Sequence, residues 1–384
     1  MNDSKRILIL TLSFGSGHVS AAKSVAQEFE RELPDAEVRL RDALENCRLP
    51  FRAFYVWTYW AMIRFAPALW SQFFAARVAR HDEQTAPIWF WQYGCDRVFA
   101  EIKAFQPDLI VACEVGACEL AVIARRAGLT NAKIVNVITD FEAEPIWVKP
   151  EVAAFTVPHD RVSEQLQNWG AAFEKIKICG IPLDSSFAQE HDLFEMRQNF
   201  ELDARPIVLL MGGGMGPTEM GQVAEKLLAT NECMQIVALP GKDWRARHHL
   251  GNLKSNQMAS LKILDWTNQV AALMQLADVL VTKPGGVTLS EAAVAGIPLI
   301  LFDAIPGPEE INAQRFVAAG AAVWTHNPDE TANAVIEILG DRKKLEEMAT
   351  QIKKLAQPEA DRKIVQTAIE ILDVKVERNL AVGV

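Results

Sequence analysis

The chain has 384 residues, half of them apolar and 23% charged. That composition excludes a disordered or fibrous protein, and the length exceeds what one hydrophobic core usually serves, so two domains are expected. A formal net charge of -10 leaves no overall electrostatic footprint for nucleic acid, whose binders carry basic patches.

The first apolar run, residues 7–12, is too short for a signal-peptide core or a membrane span and reads as a strand. Runs at 6–12, 37–42, 108–113, 133–139 and 153–158 alternate with longer amphipathic segments, with helices expected from Gly17 and Gly116. Strand then helix, repeated, predicts a parallel α/β sheet. A second series begins after Pro206 with IVLLM, QIVAL, LKIL, DVLVT and IPLILF, which predicts a second α/β unit. Between them Gly180 and Pro182 interrupt both strand and helix and suit a connector, with the hinge near 180–190. The expected division is 1–182, 183–360 and a closing segment 361–384, whose helix could fold back on the first domain. The six cysteines form no C-x-x-C pair and lack disulfide-framework spacing, so buried thiols in a reducing cytoplasm are expected.

Residues 46–93 break the rhythm. From 46 to 81 there is no Asp or Glu but five arginines and ten aromatics, and all three tyrosines of the chain fall between 55 and 93. Trp and Tyr favour the membrane–water boundary and arginine attracts anionic head groups. This island, with Arg52, Trp57, Trp60, Arg64 and Trp70, is read as an interfacial lipid contact; core or dimer packing is the alternative. Spanning is not expected, because Arg64 sits mid-stretch and Pro67 interrupts the helix.

Four motifs carry chemistry. Ser13-Phe-Gly-Ser-Gly-His18 follows the first strand; Gly15 and Gly17 let backbone approach a ligand, and His18 is a candidate base. A dinucleotide fingerprint fails there, because Ser20 stands where its third glycine is required. Met211-Gly-Gly-Gly-Met-Gly-Pro217, with Gly213 and Gly214, occupies the equivalent turn of the second unit and suits a diphosphate or sugar. In Thr282-Lys-Pro-Gly-Gly-Val-Thr-Leu-Ser-Glu291 a strand delivers the chain to Gly286, Val287 and Thr288, where a new helix offers free N–H groups to phosphate. Glu291 lies on the same helix face as Thr288 and is placed for ribose hydroxyls; a capping pair is the bland reading. Finally, Pro306-Gly-Pro-Glu-Glu-Ile-Asn312 offers Glu309 and Asn312 to sugar hydroxyls.

Taken in order with Thr139-Asp-Phe141, Trp147, the Cys-Gly-Ile-Pro-Leu-Asp connector and Leu239-Pro-Gly-Lys242, these motifs resemble the family of monogalactosyldiacylglycerol synthases and processive diacylglycerol glucosyltransferases. More distantly they resemble the lipid II-forming N-acetylglucosaminyl transferase. The resemblance covers most of the chain. It implies an α/β GT-B fold, two Rossmann-like domains with parallel sheets facing a deep cleft, acceptor on the first and donor on the second. It further implies an inverting transfer of glucose or galactose from UDP-glucose or UDP-galactose to a diacylglycerol-type lipid, by a cytoplasmic enzyme peripheral on the inner face of the cell membrane and held at an anionic surface. No cofactor or metal is implied.

Carried over by position, Gly286, Val287, Thr288 and Glu291 would hold diphosphate and ribose, residues near Trp266 the uracil, and Glu309 and Asn312 the hexose, with Gly213, Gly214 and Lys242 also on the donor side. The sequence departs from the family at two places. Glu144 stands where a histidine is expected, and Pro308 where a glutamine is expected. His18, Asp140 and Glu144 are therefore the candidates for acting on the acceptor hydroxyl, an acid being able to serve as base where its pKa is raised. A polyprenyl-linked or soluble acceptor, and a sensor that binds UDP-sugar without turnover, are the alternatives.

Overall fold

The computed structural model describes residues 4–80, 86–212 and 219–372. The first sheet holds β1 (Arg6–Thr11), β2 (Glu37–Asp42), β3 (Leu109–Ala112), β4 (Lys133–Val137), β5 (Val152–Val157) and β6 (Ile176–Ile178) in the order β2-β1-β3-β4-β5-β6. The second holds β7 (Ile207–Met211), β8 (Met234–Leu239), β9 (Ala259–Ile263), β10 (Val279–Thr282), β11 (Leu299–Leu301) and β12 (Ala322–Trp324) in the order β12-β11-β10-β7-β8-β9. Neighbouring strands pair in parallel throughout both sheets.

The central strands read as unbroken apolar runs because helices cover both faces. In β1, Leu8 and Leu10 enter one core while Ile7 and Ile9 enter another. In β7, Leu209 faces one core, and Val208 and Leu210 the opposite one. In each sheet the strand order reverses beside the strand that begins the unit, at β1/β3 and at β7/β10. Such switch points open a crevice at the carboxyl ends of the strands, and the glycine turns after β1 and β10 both lie there.

Residues 179–206 connect the sheets. Gly180 is needed in this connector: its φ is +96°, and an added Cβ would stand 2.6 Å from Gln357 Cβ and 2.9 Å from Ala360 Cβ. The chain crosses back at the same place. The closing helix Ala360–Leu372 sets Ile364, Val365, Ala368, Ile369 and Leu372 into the first domain's core beside Ile7, Val25 and Phe29. Residues 373–384 lie outside the described residues.

Between β2 and β3 the chain forms a helical hairpin, Leu49–Phe65 and Pro67–Arg80, followed by Ile88–Gly94 and Asp96–Phe105. The first helix ends before Pro67, whose ring would obstruct a continuing helix. No helix among the described residues is long and apolar enough to cross a membrane.

Candidate active site

The two sheets face each other across a cleft of about 200 Å³. From the first domain it is lined by the turn Phe14 to His18 and by Thr139 and Asp140; from the second by Lys283, Gly285 to Thr288 and Glu309. Phe141 of the first domain meets Phe316 of the second edge to face, ring centroids 5.3 Å apart. The approach is closest at Gly286, where an added Cβ would lie 2.5 Å from the Thr139 carbonyl oxygen and 3.1 Å from Asp140 Cα.

The helix Gly286–Ala295 begins at this contact. Its N-cap is Gly285 and no side chain caps it, so the leading N–H groups are available to a ligand and the helix end is positive. The capping-pair reading of Thr288 and Glu291 is therefore not what the chain adopts. Gly286, Val287 and Thr288 line the cleft, whereas Glu291, further along the same helix, is not among its lining residues. Loss of water pushes Glu291 up to about 8, with Asp184 adding to the rise.

Across the cleft, His18 Nδ1 lies 2.7 Å from Thr139 Oγ1, which fixes the ring and leaves Nε2 for another partner. Loss of water holds the imidazole down at about 4, so it is neutral at pH 7. Asp140 accepts hydrogen bonds at Oδ1 from its neighbour's Phe141 N–H at 2.9 Å and from Asn312 Nδ2 at 2.6 Å. Desolvation outweighs these bonds and raises the carboxyl to about 6. Glu309 accepts from Ile305 N–H at 2.8 Å and is pushed up by desolvation to about 7.

Several expected site residues stand elsewhere. Asn312 is fully buried and does not line the cleft; its amide joins Asp140 to the Pro284 carbonyl at 2.9 Å, linking the domains. Glu144 does not line it either: its Oε2 accepts from Arg77 Nε at 2.7 Å and from Arg77 Nη2. Lys242 and Trp266 are exposed on the loops after β8 and β9, Trp266 with 69% of its surface free. Gly213 and Gly214 lie outside the described residues, though Gly212 before them reaches the cleft.

The aromatic island divides into two faces. Phe54, Trp57, Phe65, Leu69 and Trp89 are exposed, and Arg52 is exposed beside them; the Arg64 side chain lies outside what is described. Trp60 and Trp70, expected at the same outer surface, instead line the cleft together with Tyr59. Tyr59 packs edge to face against both, at 5.3 Å each, and lies tilted against Phe14 of the glycine turn at 5.2 Å. Sequence reasoning missed Phe14, Tyr59 and Lys283 as cleft residues. A signal was present in Phe51, Tyr55 and Tyr59, spaced by four on one helix face, where Phe51 stacks on Tyr55 at 5.5 Å.

The family profile described as monogalactosyldiacylglycerol (MGDG) synthase matches residues 18–183, and the one described as glycosyl transferases group 1 matches residues 216–355. The chain is 30% identical over 374 residues to a processive diacylglycerol beta-glucosyltransferase of Bacillus licheniformis, covering 96% of each. Among solved structures, Acinetobacter baumannii MurG aligns with a TM-score of 0.62 at 14% identity, over 95% of this chain and 99% of that one. Anabaena Alr3699/HepE in complex with UDP-glucose aligns with a TM-score of 0.56 at 15% identity, over 96% and 98%. These two likenesses carry the fold, which is GT-B. With a relative matched at 30% identity along nearly its whole length, the chain belongs to the family of the processive diacylglycerol beta-glucosyltransferases.

Proposed function

We propose that this protein transfers glucose from UDP-glucose to a diacylglycerol-type lipid at an anionic membrane surface on the cytoplasmic side. The observation that carries the reading is the uncapped helix end at Gly286, set directly across the cleft from Asp140 and His18. The relative's name gives the acceptor and the hexose, and the UDP-glucose complex of a GT-B neighbour is in keeping with the donor.

In this reading the diphosphate lies against the N–H groups at Gly286–Thr288, with Lys283 nearby and the ribose hydroxyls on Glu291. The lipid hydroxyl oxygen attacks the anomeric carbon, the bond to the diphosphate oxygen breaks, and the configuration inverts. Asp140 takes the proton, since a base near 6 is better matched to neutral pH than an imidazole near 4. Neutral His18, oriented by Thr139, positions the hydroxyl. Helix-end amides carry the leaving charge, so no metal is invoked. The exposed face of the hairpin, with Phe54, Trp57 and Phe65, enters the lipid while Tyr59, Trp60 and Trp70 guide the acceptor inward.

The test is transfer of radiolabel from UDP-glucose or UDP-galactose to diacylglycerol in anionic vesicles, with and without a chelator. Label in the lipid phase from UDP-glucose, unchanged by the chelator, is the expected result. Donor hydrolysis without lipid product would instead favour a nucleotide-sugar sensor.

A further inference from the structure

Glu144, a candidate base from the sequence, has a partner supplied from far away in the chain. Arg77, 67 residues earlier on the second hairpin helix, donates to Glu144 Oε2 through Nε at 2.7 Å and through Nη2. Both side chains are largely shielded, with 12% and 14% of their surface free. Burial raises the Glu144 carboxyl, and the guanidinium opposes that rise.

The pair joins the two walls of the acceptor side. Glu144 follows Asp140 in the loop after β4, close enough for its charge to raise the Asp140 carboxyl. Arg77 shares a helix with Trp70, and its charge is felt at Tyr59, which the carboxyls of Glu309, Glu114 and Asp140 influence in the opposite sense. Aromatic contacts accept both offset-stacked and edge-to-face arrangements. A shielded guanidinium–carboxylate pair, here with Nε and Nη2 converging on the single oxygen Oε2, is charge-assisted and directional.

We propose that Arg77 and Glu144 form a positioning pair that sets the hairpin's inner wall, Tyr59, Trp60 and Trp70, against the Asp140 loop, and so governs productive binding of the lipid acceptor. This rests on reading the cleft as a glycosyl-transfer site. Neither residue touches the reacting atoms.

The test uses the full-length protein with Arg77→Gln, Glu144→Gln, the double variant and Arg77→Lys. Each single change is expected to raise the acceptor KM about tenfold or more while the donor KM stays within about twofold. The double variant should be no worse than the poorer single, because both changes remove the same tie between hairpin and loop. Arg77→Lys should recover part of the loss. In parallel, hydrogen exchange of amides in residues 49–80 and 139–147 should quicken in both singles, and no further in the double. Additive losses, or an unchanged acceptor KM with unchanged exchange, would overturn the proposal. If the wild-type protein labels no lipid at all, the functional reading fails, and the exchange measurements alone still decide whether the pair holds the hairpin to the loop.

Discussion

Two helices of this molecule begin in the same way and end up with different duties. Val115–Arg126 follows β3 and Gly286–Ala295 follows β10, each at the carboxyl edge of a parallel sheet. At the first, Glu114 accepts hydrogen bonds from Gly116 N–H at 2.6 Å and Ala117 N–H at 3.1 Å. At the second, Gly285 offers no side chain and the leading amides stay open to the cleft. The first helix, Ser16–Glu32, repeats the open arrangement after Gly15, whereas Asp192, Asp243 and Asn327 cap helices away from the cleft. Bare ends are not confined to the cleft, since Asp96–Phe105, Asp160–Asn168 and Val270–Leu276 also begin without a side-chain cap; what sets the helices after Gly15 and Gly285 apart is that their open ends line the cleft.

The largest effect is expected at Gly286. Gly286→Ala would drive a methyl group against the Thr139 carbonyl at 2.5 Å, and donor binding with turnover should fall by about a hundredfold or more, as misplacement by an ångström does in catalytic sites; titration with UDP and initial rates check this. Asp140→Asn should lower kcat/KM by about a hundred- to ten-thousandfold with donor affinity retained. The wild-type profile supplies the sign: a carboxyl at about 6 is ionised above that value, so activity should decline as pH falls through it. A decline only near 4 would assign the base to His18.

A smaller effect is expected at Glu291. Its carboxyl, pushed to about 8, is largely protonated at pH 7 in the free protein, and ribose hydroxyls donating to it favour the ionised form. UDP binding followed by calorimetry in buffers of different ionisation enthalpy should therefore show proton release, and Glu291→Gln should abolish that release while weakening UDP about tenfold. The smallest change is expected at the capped helix: Glu114→Ala should cost about 1 kcal/mol of stability in denaturant unfolding and leave UDP affinity alone.

The paired sheets were legible because β1, β3, β7 and β10 carry apolar runs that only a strand covered on both faces tolerates. The two glycine turns were legible because a strand, a glycine pair and a helix start are contiguous in the chain. What escaped depends on packing between distant segments. Asn312 sits in a motif that suggests sugar contact, yet its burial between Asp140 and Pro284 arises only when the domains meet. Trp57 and Trp60 are three residues apart and chemically alike, and composition cannot tell which side of the hairpin each occupies; the docking of Tyr59 on Phe14 decides it. Glu144 looked like a free acid until the fold brought Arg77 to it.

In the proposed mechanism the bare helix end at Gly286 receives the donor diphosphate. A crystal structure with UDP tests it most directly. Phosphate oxygens are expected to accept from the N–H groups of Val287 and Thr288, with the ribose on Glu291. A nucleotide seated instead on the Gly15–His18 turn of the first domain, with the Gly286 helix end untouched, would contradict it.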